Sequence, residues 1–409
     1  MGKVQGLKCP KCMKGYAVEI KEPRCQECHY VLEVELELGG LEGKGADLFL
    51  HRKDRSIWRW REFFPIEKEG AIVTLGEGGT PLLPAERLGR EVGGAELYLK
   101  NDTLLPTGSL KDRSNAVGIS RAVEEGHDVV AVASTGNAAA SVAAYAARAG
   151  LQSVVFVPEA TAREKVVQAA SYGARIIGVR ADYDETARLY GQALKAFGWY
   201  NCLSSNPFRN EGKKSYAYEL WADLDGRVPD WIIHPTAGGT GPTACWKGFK
   251  ELHRLGWVER LPRIVVAQAA ACAPIAQAFQ AGRDEIWPVE PQETIAESIK
   301  VGSPSTMAWR ALRAAQESGG TAVALSEEEI ARSQVLLATE AGIFAEPAGA
   351  ISLGAAIRLF QDGSIEPGHL VVAVITGHGL KQPPTQITLP DAIPATLASV
   401  EKALRADAR

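Results

Sequence analysis

The sequence predicts an α/β fold: open parallel sheets with helices on both faces, preceded by a small cysteine module. Two observations carry this. From residue 76 onward, seven short runs, most of them rich in β-branched residues and apolar on both faces, alternate with helical patterns. That is the signature of strands buried in parallel sheets. Ahead of them, two CxxC pairs stand close together within the first 40 residues, a spacing that suits a four-thiolate metal site.

A chain of 409 residues implies two or three domains. The formal charge of -4 gives no field to draw nucleic acid or an anionic membrane, so a small-molecule partner is expected. No apolar run reaches the roughly 18 residues that span a bilayer, and MGKVQGLKCPKC lacks a signal-peptide core. A cytoplasmic location is the expectation. The odd cysteine count, seven, argues against a complete disulfide framework.

Residues 1–40 are expected to form one unit. Cys9-Pro-Lys-Cys12 and Cys25-Gln-Glu-Cys28 each present two thiols across a tight knuckle, with room between the pairs for one short hairpin. The unit has too few apolar residues to fold unaided, so a bound metal would stabilise it. Zinc is the expected ion, iron the minor alternative, and free or disulfide-bonded cysteines the other reading. Four sulfurs would close a tetrahedral site and make it structural rather than catalytic. His29 is then surplus and exposed. Residues 41–75 connect this unit to the rest. Their basic, aromatic stretch HRKDRSIWRWR (51–61) could stack on nucleic acid. The expectation is instead that Trp58, Trp60, Phe63 and Phe64 pack the connector onto the body, given the acidic net charge.

Strands are expected at 96–100, 128–134, 153–158, 174–179, 231–236, 263–268 and 370–376. AAASVAAYAARAG (138–150) reads as a helix whose small residues permit close packing, and Ser326-Glu-Glu-Glu329 opens another with a capping-box pattern. In open α/β sheets, ligands bind beyond the carboxyl ends of strands. Four polar, glycine-bearing turns fall at such places: PTGSLKDR (106–113), STGN (134–137), TAGGTG (236–241) and TGHG (376–379). Gly238, Gly239 and Gly241 would let backbone amides face a phosphate where a helix begins, although glycines also serve plain turns. Lys111, where a loop enters a helix, could be desolvated into a nucleophile for an aldehyde, or be an ordinary surface lysine. Asn137 and Thr376 could fix a ring by hydrogen bonding, or be simple caps.

In this order, GEGGTPL (76–82), PTGSLKDR, STGN, the glycine-rich turn, Glu346-Pro-Ala and TGHG resemble the fold-type II pyridoxal-phosphate (PLP) enzymes, from about residue 76 to 385. TGHGLK and Ser205-Asn-Pro-Phe-Arg-Asn-Glu-Gly212 are similar to the threonine synthase group in particular, in which an N-terminal zinc ribbon also occurs. The resemblance implies two open parallel-sheet domains within a catalytic region 76–395. The smaller subdomain would span about 112–200, the larger about 76–111 and 201–395, with 396–409 a C-terminal tail. It also implies a homodimer and a PLP-dependent carbon–oxygen lyase that turns O-phospho-L-homoserine and water into L-threonine and phosphate.

The same resemblance implies roles. Lys111 would carry PLP as a Schiff base and shuttle protons. Asn137 would bond the cofactor's phenolic oxygen, and Gly238, Gly239, Thr240 and Gly241 would hold its phosphate. Thr376 would face the pyridine nitrogen with a neutral hydroxyl, which moderates the electron sink. Ser134, Thr135 and Gly136 would receive the substrate carboxylate. Ser204 and Arg209 would hold a substrate phosphate, the guanidinium in a bidentate way. Three features depart from the group's pattern. Ala138 replaces the usual threonine and Leu203 the usual asparagine, both on the substrate-phosphate side. The turn TAGGTG stands where many threonine synthases have an asparagine-containing loop. These departures keep open a β-eliminating or β-replacing enzyme, such as a serine/threonine dehydratase or an O-phosphoserine-using synthase. A third reading is a non-catalytic zinc-ribbon binding protein on a degenerate fold, against which the intact PTGSLKDR argues.

Overall fold

The computed structural model describes residues 1–19, 22–42, 47–91, 93–383 and 391–406. In chain order its strands are β1 (Val4–Lys8), β2 (Gly15–Tyr16), β3 (Glu33–Leu36), β4 (Leu82–Pro84), β5 (Glu96–Asn101), β6 (Val129–Ala133), β7 (Gln152–Pro158), β8 (Arg175–Val179), β9 (Tyr200–Asn201), β10 (Trp231–Pro235), β11 (Arg263–Ala269), β12 (Thr321–Leu325) and β13 (Leu370–Ile375). Each of the seven expected strands is present. β9 is two residues long, too short to leave a pattern, and β12 (TAVAL) is short and built largely of small residues. Both are held by parallel pairing to longer neighbours.

The strands form three sheets. The N-terminal one is antiparallel, with order β2-β1-β3. Its first hairpin wraps the first CxxC pair, because β2 pairs back onto β1 rather than onto a strand between the two pairs. The largest sheet has the order β12-β11-β10-β13-β5-β4, parallel throughout except for the edge strand β4. The third sheet, β8-β7-β6-β9, is parallel throughout.

Burial on two faces explains the continuous apolar runs. Along β13, Val371, Ala373 and Ile375 pack into the core that also holds the helix Pro347–Gln361, while Leu370, Val372 and Val374 enter a core on the opposite face. The helix Asn137–Ala149 ends at Gly150 in the left-handed conformation (φ 70°), and the capping box at Ser326 forms as its residues predict. Trp58, Trp60, Phe63 and Phe64 are buried. Phe63 lies 4.4 Å from the Tyr218 ring, and Trp60 packs on Tyr218 and Trp221, so these rings serve packing. No helix among the described residues is long and apolar enough to cross a membrane.

Both parallel sheets reverse their strand order, and ligands bind at such switch points. In the large sheet the chain runs from β10 outward through β11 to β12, then returns as β13 between β10 and β5. The carboxyl ends of β5, β13 and β10 are thus neighbours. In the smaller sheet β9 returns beside β6, which brings together the loops that leave those two strands.

Candidate active site

The turn after β5 leads into Lys111, the first residue of the helix Lys111–Glu124. Its neighbours fix it. The Thr107 amide and hydroxyl donate to the Asp112 carboxylate at 2.7 and 2.6 Å, closing the loop around Gly108, which takes φ 78°. Arg113 is fully buried and gives its fork to Asp102 and Glu219. The Leu110 amide donates to the Thr376 carbonyl at 2.8 Å, and Ser109 bridges Gly377. So PTGSLKDR positions one lysine: Thr107, Asp112 and Arg113 anchor, Gly108 bends, and Lys111 is set against the end of β13. Burial lowers the Lys111 ammonium to about 8, and the Arg209 and Lys381 charges push the same way against the Glu346 carboxylate.

Asn137 opens the helix Asn137–Ala149 after the turn Ser134-Thr135-Gly136 at the end of β6. Its Nδ2 donates to both Glu346 oxygens at 3.1 and 3.2 Å. Glu346 also accepts from the Ser298 hydroxyl at 2.9 Å. A Cβ at Gly377 would lie 2.4 Å from the Glu346 carboxylate and would displace it. Thr236–Gly241 follows β10 and begins the helix Thr240–Arg254. Gly239 takes φ 95° and passes so close to Met307 that a Cβ would meet its carbonyl at 2.7 Å, while Gly238 has open space where a Cβ would go. Such a cradle, lined by amides at a helix N-terminus, fits a phosphate.

After β9, Asn206 caps the short helix Pro207–Asn210 and directs Arg209 inward. Arg209 Nε donates to Asn115 Oδ1 at 2.7 Å, and Gly118 on the lysine's helix leaves room for its stem. Ser204 is half-buried beside it, its carbonyl held by Asn210 Nδ2 at 2.8 Å. The expected residues therefore gather around the carboxyl ends of two adjacent sheets. Sequence reasoning assigned no role to Glu346, Ser298, Lys213 or Lys381. Two of them lay in motifs already noted, Glu346 in Glu-Pro-Ala and Lys381 at the end of TGHGLK, whereas Ser298 and Lys213 carried no signal. Lys381 Nζ donates to Gln168 Oε1 at 2.5 Å, and Gln168 Nε2 donates to the Thr107 carbonyl at 3.2 Å, ties that link the two sheets' loops.

A buried lysine whose proton affinity is lowered, a glycine cradle that fits a phosphate and a pocket at two switch points suit an enzyme that holds an aldehyde phosphate. Residues 73–377 match the family model for pyridoxal-phosphate dependent enzymes, and the chain belongs to that family. Within it the chain is closely related to threonine synthases. It is 41% identical to the threonine synthase of Methanocaldococcus jannaschii over 93% of this chain and 94% of that one. It is 37% identical to that of Methanosarcina acetivorans over 97% and 98%. Among solved structures, maize serine racemase superposes with a TM-score of 0.65 at 20% identity, covering 80% of this chain and 92% of that one. A threonine deaminase from T.th. gives 0.62 at 24%, covering 76% and 94%. Those two show the fold, α/β of fold type II.

The four N-terminal cysteines form a second centre. Their Sγ atoms all lie within 4.8 Å of one another, with Cys9–Cys28 at 3.2 Å and Cys12–Cys25 at 3.5 Å. Tetrahedral zinc at about 2.3 Å from each sulfur would space them about 3.8 Å apart, so the cluster fits a metal ion. The two knuckles match: Met13 and His29, each following a CxxC, adopt φ 65° and 58° and donate to the Cys9 and Cys25 carbonyls at 3.0 Å. The Gln26 amide donates to the Tyr16 oxygen, which leaves the Tyr16 hydroxyl to donate to Cys25 Sγ at 3.1 Å. His29 is exposed. The unit docks on two helices, Thr240–Arg254 and Thr306–Glu317, through Lys247 to the Val34 carbonyl (2.6 Å), Arg310 to Glu33 (2.7 Å) and Tyr30 against Trp309.

Proposed function

We propose that the chain converts O-phospho-L-homoserine and water into L-threonine and phosphate. One observation carries the substrate class. Arg209 is 4% exposed, yet among the described residues its side chain is bonded only to the neutral Asn115. A buried guanidinium is ordinarily matched by a carboxylate. This one leaves both Nη groups to an anion from outside, and a phosphate fits its fork.

Bound PLP supplies an electron sink that acidifies the substrate Cα–H. The residues of this chain do the rest. Lys111 holds the cofactor and then moves protons at Cα, with an affinity near working pH as a general base requires. The turn Ser134-Thr135-Gly136 receives the substrate carboxylate with hydroxyls and amides at a helix N-terminus. Asn137 and Thr376 orient the ring, and Gly238, Gly239, Thr240 and Gly241 hold its phosphate. Arg209 and Ser204 grip the substrate phosphate and stabilise it as it leaves Cγ with the electron pair of the Cγ–O bond while a Cβ proton is removed. A proton then returns to Cγ, and water adds its hydroxyl at Cβ and gives up its proton. The ties from Gln168 to Lys381 and from Asn137 to Glu346 span the cleft and restrict water until then. The reading includes a mobile smaller subdomain of about 112–200, zinc in the cysteine cluster, a homodimer and a cytoplasmic setting, which suits the seven unpaired cysteines.

A second reading is β-elimination or β-replacement on another amino acid. Ala138 and Leu203 favour it, because neither brings a hydrogen-bonding side chain to the phosphate side. Steady-state assays with O-phosphohomoserine, O-phosphoserine, serine and threonine separate the two. Phosphate release from the first alone supports the proposal, and turnover of serine or threonine without it overturns the proposal.

A further inference from the structure

The pocket is rich in unmatched positive charge. Lys111, Arg209, Lys213 and Lys381 make no ion pair with any described residue; Glu346 acts on Lys111, Glu346 and Asp112 on Lys381, and Asp102 on Lys213, each from beyond ion-pair distance. Lys213 is the most deeply buried of the four. It is 3% exposed, and among the described residues its only side-chain hydrogen-bond partner is the Thr240 hydroxyl, at 2.8 Å. The other two fully enclosed lysines show what such burial ordinarily requires. Lys100 contacts Glu219 and Asp223, and Lys214 contacts Glu211 and Glu251, all within 2.9 Å. Burying an ammonium without a counter-charge costs several kcal/mol, so position 213 opposes folding of the empty protein. Thr240 begins the helix that follows the glycine cradle, and bonding to it fixes the ammonium at the cradle's rim.

We propose that Lys213 is a ligand of the cofactor phosphate, the cationic member of a cradle otherwise made of backbone amides and one hydroxyl. This rests on the reading that Gly238–Gly241 holds that phosphate. The pocket then divides two anions between two buried cations: Lys213 serves the phosphate at the end of β10, and Arg209 the one beyond β9. Burial and the Lys111 and Arg209 charges push the Lys213 ammonium well down from its ordinary value, and a bound dianion reverses that. His234, under the same turn, is pushed down to about 3 by burial and by Lys213, so it stays neutral and offers the phosphate no competing charge.

The test compares wild type with Lys213→Met, close in shape but uncharged, and with Lys213→Arg, which keeps the charge. Cofactor-free protein is titrated with PLP and, separately, with pyridoxal, which lacks the phosphate. Wild type should prefer PLP strongly. Lys213→Met should lose about ten- to hundredfold of the PLP affinity, as for a charge-assisted bond, with pyridoxal binding unchanged. Lys213→Arg should keep most of it. The cofactor-free Lys213→Met protein should melt at or above the wild-type temperature. An unchanged preference for PLP in Lys213→Met overturns the assignment of Lys213 and leaves the cradle standing. A wild type that binds both ligands equally overturns the cradle itself. A Lys213→Met chain that is less stable than cofactor-free wild type, or does not fold, also overturns the proposal, because the ammonium would then be satisfied by the protein alone.

Discussion

Replacing Arg113 by methionine should destabilise the fold by about 3 kcal/mol, the low end for a broken buried ion pair. The guanidinium gives Nε and Nη2 to Asp102 at 2.8 Å each, and Nη1 and Nη2 to Glu219 at 2.5 and 2.9 Å. Lys100 adds a second cation, 2.9 Å from Glu219. Two positive groups thus face two buried carboxylates, with the partly exposed Asp223 also on Lys100, and loss of Arg113 adds one uncompensated negative charge. The cost stays at the low end because Asp102 keeps the Tyr216 and Thr80 hydroxyls, at 2.5 and 2.8 Å, and Glu219 keeps Lys100. If charge imbalance is the cause, adding Asp102→Asn to Arg113→Met should restore about 1 kcal/mol or more, a coupling expected of groups in one network. Urea unfolding of the cofactor-free protein, followed by tryptophan fluorescence, measures both variants. A single-variant loss below about 1 kcal/mol, or a double variant weaker than Arg113→Met, would refute the reasoning.

Covalent capture of PLP by cofactor-free protein should accelerate through pH about 8, because burial lowers Lys111 from 10.5 and only the neutral amine attacks. The sign is that of a depressed base: the neutral form already dominates above pH about 8 in the folded protein. Glu346→Gln removes the charge that opposes this shift and should move the midpoint lower in stopped-flow absorbance. A midpoint near 10.5 in wild type sinks the argument. Arg209→Met should raise KM for the phosphorylated substrate about ten- to hundredfold while leaving the cofactor absorbance band in place, and an unchanged KM would remove the basis for a phosphorylated substrate. Cys9→Ser should lower bound zinc, measured by elemental analysis, and reduce thermal stability, because the ribbon braces the helices Thr240–Arg254 and Thr306–Glu317. Full zinc content in that variant would place the metal elsewhere.

The fold was readable where burial on both sides writes itself into the chain. β10 (WIIHP), β11 (RIVVAQA) and β13 (LVVAVI) lie inside the sheet, so every residue but one of the three faces protein, and the runs are apolar almost from end to end. β12 is an edge strand built largely of small residues, and β9 has two residues, so neither has enough side chain to mark it. The ribbon's hairpin is misplaced in the reading from sequence for a related reason. Knuckle geometry around Met13 and His29 is set by left-handed backbone at non-glycine residues, which residue type does not announce.

The site was readable to the extent that its residues lie in local motifs. Thr107, Gly108, Lys111, Asp112 and Arg113 act on one another within seven positions, and a single turn encodes them. Charge balance is different. Lys213 and Lys214 are neighbours in sequence, both buried, and identical in type. Lys214 is neutralised by Glu211 one turn away and by Glu251 on another helix. Lys213 points the other way, toward Thr240, with no carboxylate beside it. The helical twist alone separates a structural ion pair from an ammonium facing an anion site. That distinction does not exist until the 3-10 turn Glu211–Lys214 and the helix Thr240–Arg254 pack together. A pocket that folds with its positive charge uncancelled is a pocket whose contents must complete it. Two buried cations at two separate strand ends are what a phosphorylated cofactor and a phosphorylated substrate would require at once.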